Sequence, residues 1–318
     1  MVCKTFHIAF CMNDAYAPYV MVPIKSIAEN HSNISRKICL HILTDYISEI
    51  NTKRLYDIVA NYDNLLLQIH LINSNTVLSD LKTGNWTVHA WYRILLPEIL
   101  PNTVEKVLYL DPDTIISCNI SELFIMDMTD KAIAAVLDIL SFDDETFIRC
   151  GYTMHKQYIC AGVMMMNLNY WRKYHLTDKI INWAKKNRER MTHPDQDAIN
   201  YICQDTKIVL PLRYGFTHCF CEYDMFYKPP YREQLEQSIH NPAIIHYNGC
   251  IPWGREYHKH VMHHEWEKYN LMLRHPIRRT YQVRGWKKMK IMWWDLLHLY
   301  QGRKQLTIAE VKKRLFSN

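Results

Sequence analysis

Several segments that would place the chain in a membrane or a secretory pathway are missing from the sequence. No run of about 18 uncharged apolar residues occurs, so a membrane-spanning helix is not expected. The first residues, MVCKTFHIAFCMNDAY, reach Asp14 early and lack a small-residue cleavage site, which is not typical of a signal peptide. We therefore predict that the protein is made and folded in the cytoplasm.

Glycine and paired cysteines are also scarce. Eight glycines occur in 318 residues, and no glycine-rich, basic loop follows the first apolar segment. None of the ten cysteines forms a Cys-x-x-Cys pair, and the spacing of Cys219 and Cys221 suits neither a zinc knuckle nor a redox motif. The cysteines are therefore predicted to be reduced thiols with structural roles. Internal repeats and low-complexity linkers are absent too.

Positive charge is concentrated at one end of a chain that is otherwise slightly acidic. Residues 274–318 contain twelve Lys and Arg but only Asp295 and Glu310 as acidic residues, and the net charge of residues 1–273 is then −4. We predict two units, a globular domain over residues 1–273 and a basic, aromatic tail over 274–318. An acidic body without a recognised nucleic-acid motif argues against nucleic-acid binding.

Short apolar segments alternate with helical patterns through the first two thirds of the chain. This order predicts an α/β domain with a mostly parallel sheet covered by helices on its faces. The predicted strands are 5–12, 38–43, 65–72, 107–110, 132–137 and 163–166, and the predicted helices are 19–30, 48–59 and 89–96. Ser48 followed by Glu49 is typical of a helix N-terminus.

Polar residues follow three of the predicted strands. Asn13 and Asp14 follow the first, Asp111 and Asp113 follow 107–110, and Asp138 follows 132–137. Ligands of open α/β sheets bind outside the carboxyl ends of the strands, so we expect these side chains to converge at one edge.

The segment KVLYLDPDTII, residues 106–116, places two carboxylates two residues apart. In extended backbone Asp111 and Asp113 point to the same side, and Pro112 favours that conformation for Asp111. Two adjacent carboxylates repel each other unless a cation lies between them, and their oxygens suit Mg²⁺ or Mn²⁺. Alone, the pattern also fits a solvated turn, and Asp195 and Asp197 form a second Asp-x-Asp.

Six separated segments together resemble the retaining glycosyltransferases of family 8, a family that includes glycogenin and lipopolysaccharide galactosyl- and glucosyltransferases. The resemblance covers about residues 5–255 and implies a GT-A type fold, a UDP-sugar donor and a Mn²⁺ or Mg²⁺ cofactor. Its segments are IAFCMNDAY (8–16), HAWYRILLPEIL (89–100), KVLYLDPDTII (106–116), YICAGVMMMNLNYW (158–171), HPDQDAIN (193–200) and IIHYNGCIPWG (244–254).

The same resemblance implies roles for individual residues at the donor. Asn13 and Asp14 would bond the base or ribose and Tyr16 would stack on uracil, while Arg93 and Gly249 would lie against the donor. Three side chains would bind the metal on the diphosphate: Asp111, Asp113 and His246. Those nearest the reacting sugar would be Asp195, Gln196 and Asp138, with Gln196 beneath the anomeric carbon.

The sequence departs from the family pattern at two positions. Cys160 stands where the family usually has Asn before Ala-Gly-Val, which removes an amide able to bond the donor sugar. The usual His-x-x-Gly-x-x-Lys-Pro-Trp block lacks its lysine and is one residue shorter, so that Ile251 precedes the proline. We expect Arg255, Lys259 or His258 to supply the missing charge; loss of donor binding or of catalysis is the alternative.

The segment WKKMKIMWWDLLHLY, residues 286–300, has the pattern of an amphipathic helix. Its apolar face carries Met, Trp, Leu and Tyr, and basic residues flank it on both sides. This pattern predicts peripheral binding to the anionic inner face of the cytoplasmic membrane. The alternative is a helix packed on the catalytic domain. A nearby group of histidines, His258, His260, His263 and His264, is predicted to lie on a surface helix.

The sequence therefore predicts a metal-dependent retaining transferase that moves glucose or galactose from a UDP-sugar to a surface glycan or a lipopolysaccharide-type, lipid-linked acceptor. Two alternatives remain open. A non-catalytic, membrane-tethered protein that binds donor or glycan would fit the two departures. A sugar nucleotidyltransferase would also use paired carboxylates and a metal, but the absence of a glycine-rich phosphate loop argues against it.

Overall fold

The fold is built on a seven-stranded sheet with the strand order β3-β2-β1-β4-β7-β6-β8. The computed structural model describes residues 5–73, 78, 80–153, 156–254, 260–277 and 307–316. The strands are β1 Phe6–Cys11, β2 Ile38–Thr44, β3 Leu65–Leu71, β4 Lys106–Leu110, β5 Thr114–Ile116, β6 Ile133–Leu137, β7 Ile159–Asn167, β8 Lys207–Leu210 and β9 Ile244–His246. The predicted α/β class and mostly parallel sheet are confirmed, because β1, β2, β3 and β4 run parallel and β6 pairs in parallel with β8.

Helices cover both faces of this sheet. They are α1 Ala17–His31, α2 Glu49–Val59, α3 Leu96–Ile99, α4 Ser121–Ile125, α5 Asp144–Cys150, α6 Leu168–Tyr174, α7 Leu176–Lys186, α8 Pro194–Ile202, α9 Cys219–Glu222, α10 Arg232–His240, α11 His263–Leu271 and α12 Ile308–Phe316. Ser48 caps α2 as predicted, since its hydroxyl accepts from the backbone N–H of Asn51 at 3.4 Å.

The segment predicted as a helix over 89–96 is a 3₁₀ helix, Val88–Leu95, that leads into α3. Pro97 has no N–H and cannot donate to the carbonyl of Arg93, which instead accepts from Leu96. Because the α-helical bond to the Arg93 carbonyl cannot form, this carbonyl takes the shorter-range bond of a 3₁₀ helix, and the backbone winds more tightly here.

The core lies on both sides of the sheet. Along β1, Ile8 and Phe10 pack against one set of helices, while Ala9 and Cys11 pack on the opposite face. All four are at most 5 % exposed. A strand that is buried on both faces is mostly apolar along its length. This is why β1 and β4 could be predicted from the sequence.

Strand β7 is the one central strand that runs antiparallel to both of its neighbours, β4 and β6. Its first residues therefore lie beside the carboxyl ends of the parallel strands. The sequence predicted only its apolar second half, 163–166, whereas the strand begins at Ile159. This direction brings Cys160 and Gly162 to the edge where ligands of such sheets bind.

The last helix, α12, packs against α10 rather than extending from the body. Val311 and Leu315 are buried there, and Arg314 lies 4.1 Å from the Tyr227 ring and pairs with Asp224. The amphipathic segment 286–300 lies outside the described residues, so its membrane role and the division of the chain after residue 273 stay predictions. No helix in the described part of the chain is long and apolar enough to cross a bilayer.

Two predictions about cysteine and histidine side chains have different outcomes. Every described cysteine is a free thiol, as expected. The histidine prediction is wrong for His260, which is fully buried and precedes α11. His260 packs against the Tyr247 ring at 4.5 Å and accepts from the backbone N–H of Met262, so it is a core residue.

Candidate active site

A cavity of about 530 Å³ opens at the carboxyl ends of the central strands. Residues from β1, β4, β7, α8 and the segment after β9 line it together. The predicted site residues in its lining are Asn13, Tyr16, Arg93, Asp111, Asp113, Asp138, Asp195, Gln196, His246 and Gly249. Of the predicted set, only Asp14 lies outside the lining.

Three side chains that could hold a metal ion meet on one wall of this cavity. The ligand atoms of Asp111, Asp113 and His246 all lie within 4.8 Å of one another. His246 Nε2 is 3.3 Å from Asp113 Oδ1 and 3.7 Å from Asp111 Oδ2. The small sheet of β5 and β9 aligns them, because His246 is the register partner of Thr114, the residue after Asp113.

Gly162 has no side chain, and the space this leaves is occupied by Asp111 and His246. A Cβ atom at Gly162 would lie 2.3 Å from His246 Cε1 and 2.6 Å from Asp111 Oδ2, so any larger residue would displace both ligands. Gly162 also fixes Asp111 by accepting its backbone N–H at 2.8 Å. Two carboxylates and one imidazole in such a cradle could hold Mn²⁺ or Mg²⁺.

Electrostatics favour charged groups in the cluster. Burial alone would raise the pKa of Asp111, but the Arg93 charge, His246 and the Tyr109 hydroxyl outweigh it and hold that pKa below its usual range. Burial would lower the pKa of His246, but Asp113 and Cys160 hold it well above its usual range. Without a metal, the positive charge beside these carboxylates comes from Arg93 and from a protonated His246.

Arg93 connects the metal cluster to the start of α8. Its side chain is only 7 % exposed and pairs with Asp111 at 3.1 Å and with Asp195 at 3.2 Å. It also donates to the carbonyl of Ala161 at 2.7 Å and lies 4.3 Å from the Tyr109 ring. Arg93 lines the cavity, and its contact with the donor stays a prediction. Most of its N–H donors already bond to the protein, so it also positions two carboxylates.

The start of α8 presents Asp195 and Gln196 to the cavity. Gln196 accepts from the backbone N–H of Ala161 at 2.9 Å and donates to Asp138 at 3.3 Å. These contacts fix the orientation of its amide and join the α8 block to Asp138 after β6. Burial raises the pKa of Asp138 and of Asp195.

Asp197, the second aspartate of that block, is fully buried and lies outside the cavity lining. Its carboxylate accepts from Arg149 at 2.8 Å, from the Tyr158 hydroxyl at 2.6 Å and from the backbone N–H groups of Thr192 and His193. It therefore holds the N-terminus of α8 in place.

Two aromatic side chains, Tyr16 and Trp253, also line the cavity, and Tyr19 packs against them. Tyr19 and Trp253 stack with ring centroids 4.0 Å apart, and Tyr16 meets Trp253 edge-on at 5.8 Å with 40 % of its surface exposed. Asn13 caps the turn that carries Tyr16 by accepting its backbone N–H at 3.1 Å. A flat ring could stack on the exposed Tyr16 side chain.

Asp14 lies outside the cavity lining, and its contact with the base or ribose stays a prediction. Its Oδ1 atom accepts from the backbone and hydroxyl of Ser48 at 2.8 and 2.9 Å and from Asn51 at 2.8 Å. Asp14 therefore attaches the first turn to the N-terminus of α2, and this oxygen already has three donors.

Sequence reasoning did not single out several lining residues. Trp86 and His193 face each other at the cavity with ring centroids 5.5 Å apart, and Thr217 and Asn248 also line it. His193 adjoins the Asp-Gln-Asp block and could have been noticed for that reason. Trp86 lies in a loop with no apolar periodicity, so no pattern marked it.

Both departures from the family pattern lie at the cavity. Cys160 Sγ is 3.6 Å from His246 Nδ1, and Ile251 lines the wall where the lysine is missing. In the described part of the chain, Arg93 is the sole Lys or Arg in the lining. Residues 255–259, which include the expected replacements Arg255, His258 and Lys259, lie outside the described residues.

Taken together, the sheet order, the antiparallel β7 and the carboxylate pair define an α/β fold with a candidate ligand site at the carboxyl edge of its sheet. The sequence model of glycosyl transferase family 8 matches residues 7–256, and the chain belongs to that family. It is a glycosyltransferase.

Individual relatives agree with this classification. A lipopolysaccharide 1,2-glucosyltransferase of Escherichia coli is 24 % identical over 291 residues, covering 90 % of this chain and 80 % of the relative. A lipopolysaccharide 1,3-galactosyltransferase of Salmonella typhimurium is 23 % identical over 233 residues, covering 70 % and 66 %. The crystal structure of galactosyltransferase LgtC with donor and acceptor sugar analogues superposes with a TM-score of 0.73 at 22 % identity, over 90 % of this chain and 100 % of that one, and confirms the GT-A type fold.

Proposed function

We propose that the protein transfers glucose or galactose from a UDP-sugar to a glycan acceptor, with retention of the anomeric configuration and with Mn²⁺ or Mg²⁺. The cluster of Asp111, Asp113 and His246 over Gly162 carries the proposal. A metal bound there would supply Lewis-acid stabilisation of the diphosphate leaving group. Family membership supports the retaining chemistry and the UDP-sugar donor.

The protein's own residues define where each part of the donor would lie. The aromatic group of Tyr16, Tyr19 and Trp253 would hold the uracil ring, and the carboxylate cluster would face the diphosphate. Gln196 and Asp195 at the start of α8 would then face the sugar. The amide of Gln196 is held by Ala161 and Asp138, so it can orient the sugar without needing to move.

An amide is a poor nucleophile, which favours a front-side reaction over a covalent intermediate on Gln196. In that reaction the acceptor hydroxyl attacks from the face that the diphosphate leaves, and its proton passes to a departing phosphate oxygen. Gln196 would hold the sugar from below, while Asp138 and Asp195 accept hydrogen bonds from its hydroxyl groups.

The names of the relatives support a lipopolysaccharide-type acceptor, since both act in building such glycans. We propose that the basic tail brings the protein to the anionic inner face of the cytoplasmic membrane, where a lipid-linked acceptor would lie. Replacing Lys287, Lys288 and Lys290 by Gln in the full chain should weaken binding to anionic liposomes. Equal binding of the variant and the wild type would refute this part of the proposal.

The decisive experiment measures UDP release and sugar transfer with a panel of UDP-sugars in Mn²⁺. Wild-type protein should turn over one or two donors, and the variant carrying Asp111→Asn and Asp113→Asn should not. Asp63→Asn is a matched control, because it removes an exposed carboxylate outside the cavity. Retention predicts an α-linked product from an α-linked donor, which NMR of the product can establish.

UDP binding without turnover of any donor would instead support a non-catalytic protein. One observation favours this second candidate. Among the described residues, Arg93 is the sole Lys or Arg in the cavity lining, and it is already paired with two carboxylates. Formation of a nucleoside diphosphate sugar from a sugar phosphate and UTP would contradict both and indicate a nucleotidyltransferase.

A further inference from the structure

A row of histidines crosses three adjacent parallel strands away from the active-site cavity. His7 lies on β1, His41 on β2 and His70 on β3, with His7 Nδ1 2.9 Å from His41 Nε2 and His41 Nδ1 3.0 Å from His70 Nε2. Cys39 belongs to the same face, because it lies two residues before His41 and is the register partner of His7. None of these residues lines the active-site cavity.

The row contains a second set of metal-ligating atoms. One ligand atom from each of His7, Cys39 and His41 lies within 4.8 Å of the other two. We propose that these three side chains bind Zn²⁺, with the fourth coordination position open to water on the half-buried side of His7. Nothing in the proposed transferase chemistry requires this site.

The ligand types decide which metal the site would take. A thiolate and two imidazoles suit Zn²⁺, whereas the two carboxylates and one imidazole at the active site suit Mn²⁺ or Mg²⁺. Tetrahedral Zn²⁺ with bonds of about 2.0–2.1 Å to nitrogen separates two nitrogen ligands by about 3.4 Å. His7 and His41 are 2.9 Å apart, so binding requires a shift of about half an ångström, which a side-chain rotation can supply.

His70 lies where it can hold His41 by a hydrogen bond without binding the metal itself. Binding through Nε2 of His41 requires its Nδ1 to carry the proton, and that N–H points at His70 Nε2, 3.0 Å away. Metal-binding histidines commonly donate their second ring N–H to such an acceptor, which fixes the tautomer and the ring orientation. The rings are also held by stacking, with centroids 5.2 Å apart for His7 and His41 and 5.3 Å for His41 and His70.

The position in the sheet argues against an ordinary core cluster. The opposite face of β1 carries Phe6, Ile8 and Phe10, as expected for a strand covered on both sides. On this face, polar rings replace apolar side chains on three successive strands while His41 is only 1 % exposed. Without a metal, His7 Nδ1 pairs with His41 Nε2 and His41 Nδ1 pairs with His70 Nε2. A metal-free histidine row is therefore the competing structure that the experiment must distinguish.

The test uses Co²⁺ as a spectroscopic probe on chelator-treated full-length protein. The background variant carries Asp111→Asn and Asp113→Asn, which removes the active-site carboxylates. We expect this variant to bind one Co²⁺ with a thiolate-to-metal charge-transfer band in the near ultraviolet, and to release it when Zn²⁺ is added. Adding Cys39→Ser should abolish the band and weaken Zn²⁺ binding at least tenfold, while circular dichroism stays unchanged.

A second variant keeps the proposal testable if Cys39→Ser does not fold. His7→Gln changes a half-buried side chain at the open side of the row, and it should also weaken Zn²⁺ binding at least tenfold. Absence of Co²⁺ binding in the Asp111→Asn and Asp113→Asn background would show a metal-free histidine row and overturn the proposal. A charge-transfer band that persists in Cys39→Ser would show that another cysteine binds the Co²⁺, and this result would also overturn the proposal.

Discussion

Arg93→Met should cost the protein much more stability than an ordinary arginine substitution. The guanidinium is 7 % exposed, forms ion pairs with Asp111 and Asp195, and also donates to the Ala161 carbonyl. Methionine has a similar length but leaves two carboxylates beside an apolar side chain. Removing one partner of a buried ion pair typically costs about 3–5 kcal/mol, because the remaining charge stays buried and unpaired.

The measurement is the free energy of unfolding from urea titration at pH 7.5. Arg188→Met is the matched control, since Arg188 is exposed and its loss should change stability by no more than about 0.5 kcal/mol. The Arg93→Met loss should be smaller at pH 5 than at pH 8. With Arg93 gone, burial raises the pKa of the carboxyl groups in the folded state, so protonation relieves the unpaired charge as the pH falls.

A double-mutant cycle tests the cause of the loss. In an Asp195→Asn background, Arg93→Met should cost at least 1 kcal/mol less than in the wild type, because one of the unpaired charges has been removed. The reasoning is refuted if the two costs are equal. A loss below about 1 kcal/mol in the wild-type background would also refute it and would mean that the pair is open to solvent.

Three further predictions concern the active site and the core. Gly162→Ala should weaken Mn²⁺ binding at least tenfold in titration calorimetry, since a Cβ would lie 2.3 Å from His246; unchanged affinity with a native circular dichroism spectrum would contradict the cradle. Cys160→Asn restores the family's usual amide and should lower the donor KM about fivefold, as expected for one added hydrogen bond of about 1 kcal/mol. Cys160→Ala is its control, and equal KM values for the two variants would exclude that bond. Burial, with His218 and His246 adding to it, lowers the pKa of His260 well below its usual range, so His260 adds stability above pH 6.5 that is lost as the pH falls. Between pH 6.5 and 5 the unfolding free energy of His260→Gln should fall less steeply than that of the wild type, by up to about 1.4 kcal/mol per pH unit, and parallel curves would contradict the prediction.

Much of the sheet could be predicted from local patterns, because its longer strands are rich in apolar residues. The bounds of β1, β2, β3, β4 and β6 differ from the prediction by one residue or so at most ends. The short strands β5, β8 and β9 were not predicted. They contain three or four residues each, too few for any periodicity to be visible.

The positions of the site residues also depend partly on the local sequence and partly on contacts between residues far apart in the chain. That Asp111 and Asp113 lie at the edge of the sheet follows from the strand before them and from a general rule of such folds. That Asp14 and Asp197 lie outside the cavity lining does not, because their partners Ser48 and Arg149 are 34 and 48 residues distant. Spacing alone could not separate aspartates that face the ligand from those that cap a helix.

The charge of the cavity links the two departures from the family pattern. A UDP-sugar would bring two phosphate charges to a wall that already contains Asp111 and Asp113, and the nearby Arg93 is held by Asp111 and Asp195. Because the family's lysine is missing, the described residues of the cavity lining include no unpaired Lys or Arg that could bind the diphosphate. Donor binding should therefore depend on the divalent cation more strongly than in a relative that has the lysine, unless Arg255 or Lys259 reaches the phosphates. Comparing UDP affinity with and without Mn²⁺, in wild type and in Arg255→Ala, decides between these two sources of positive charge.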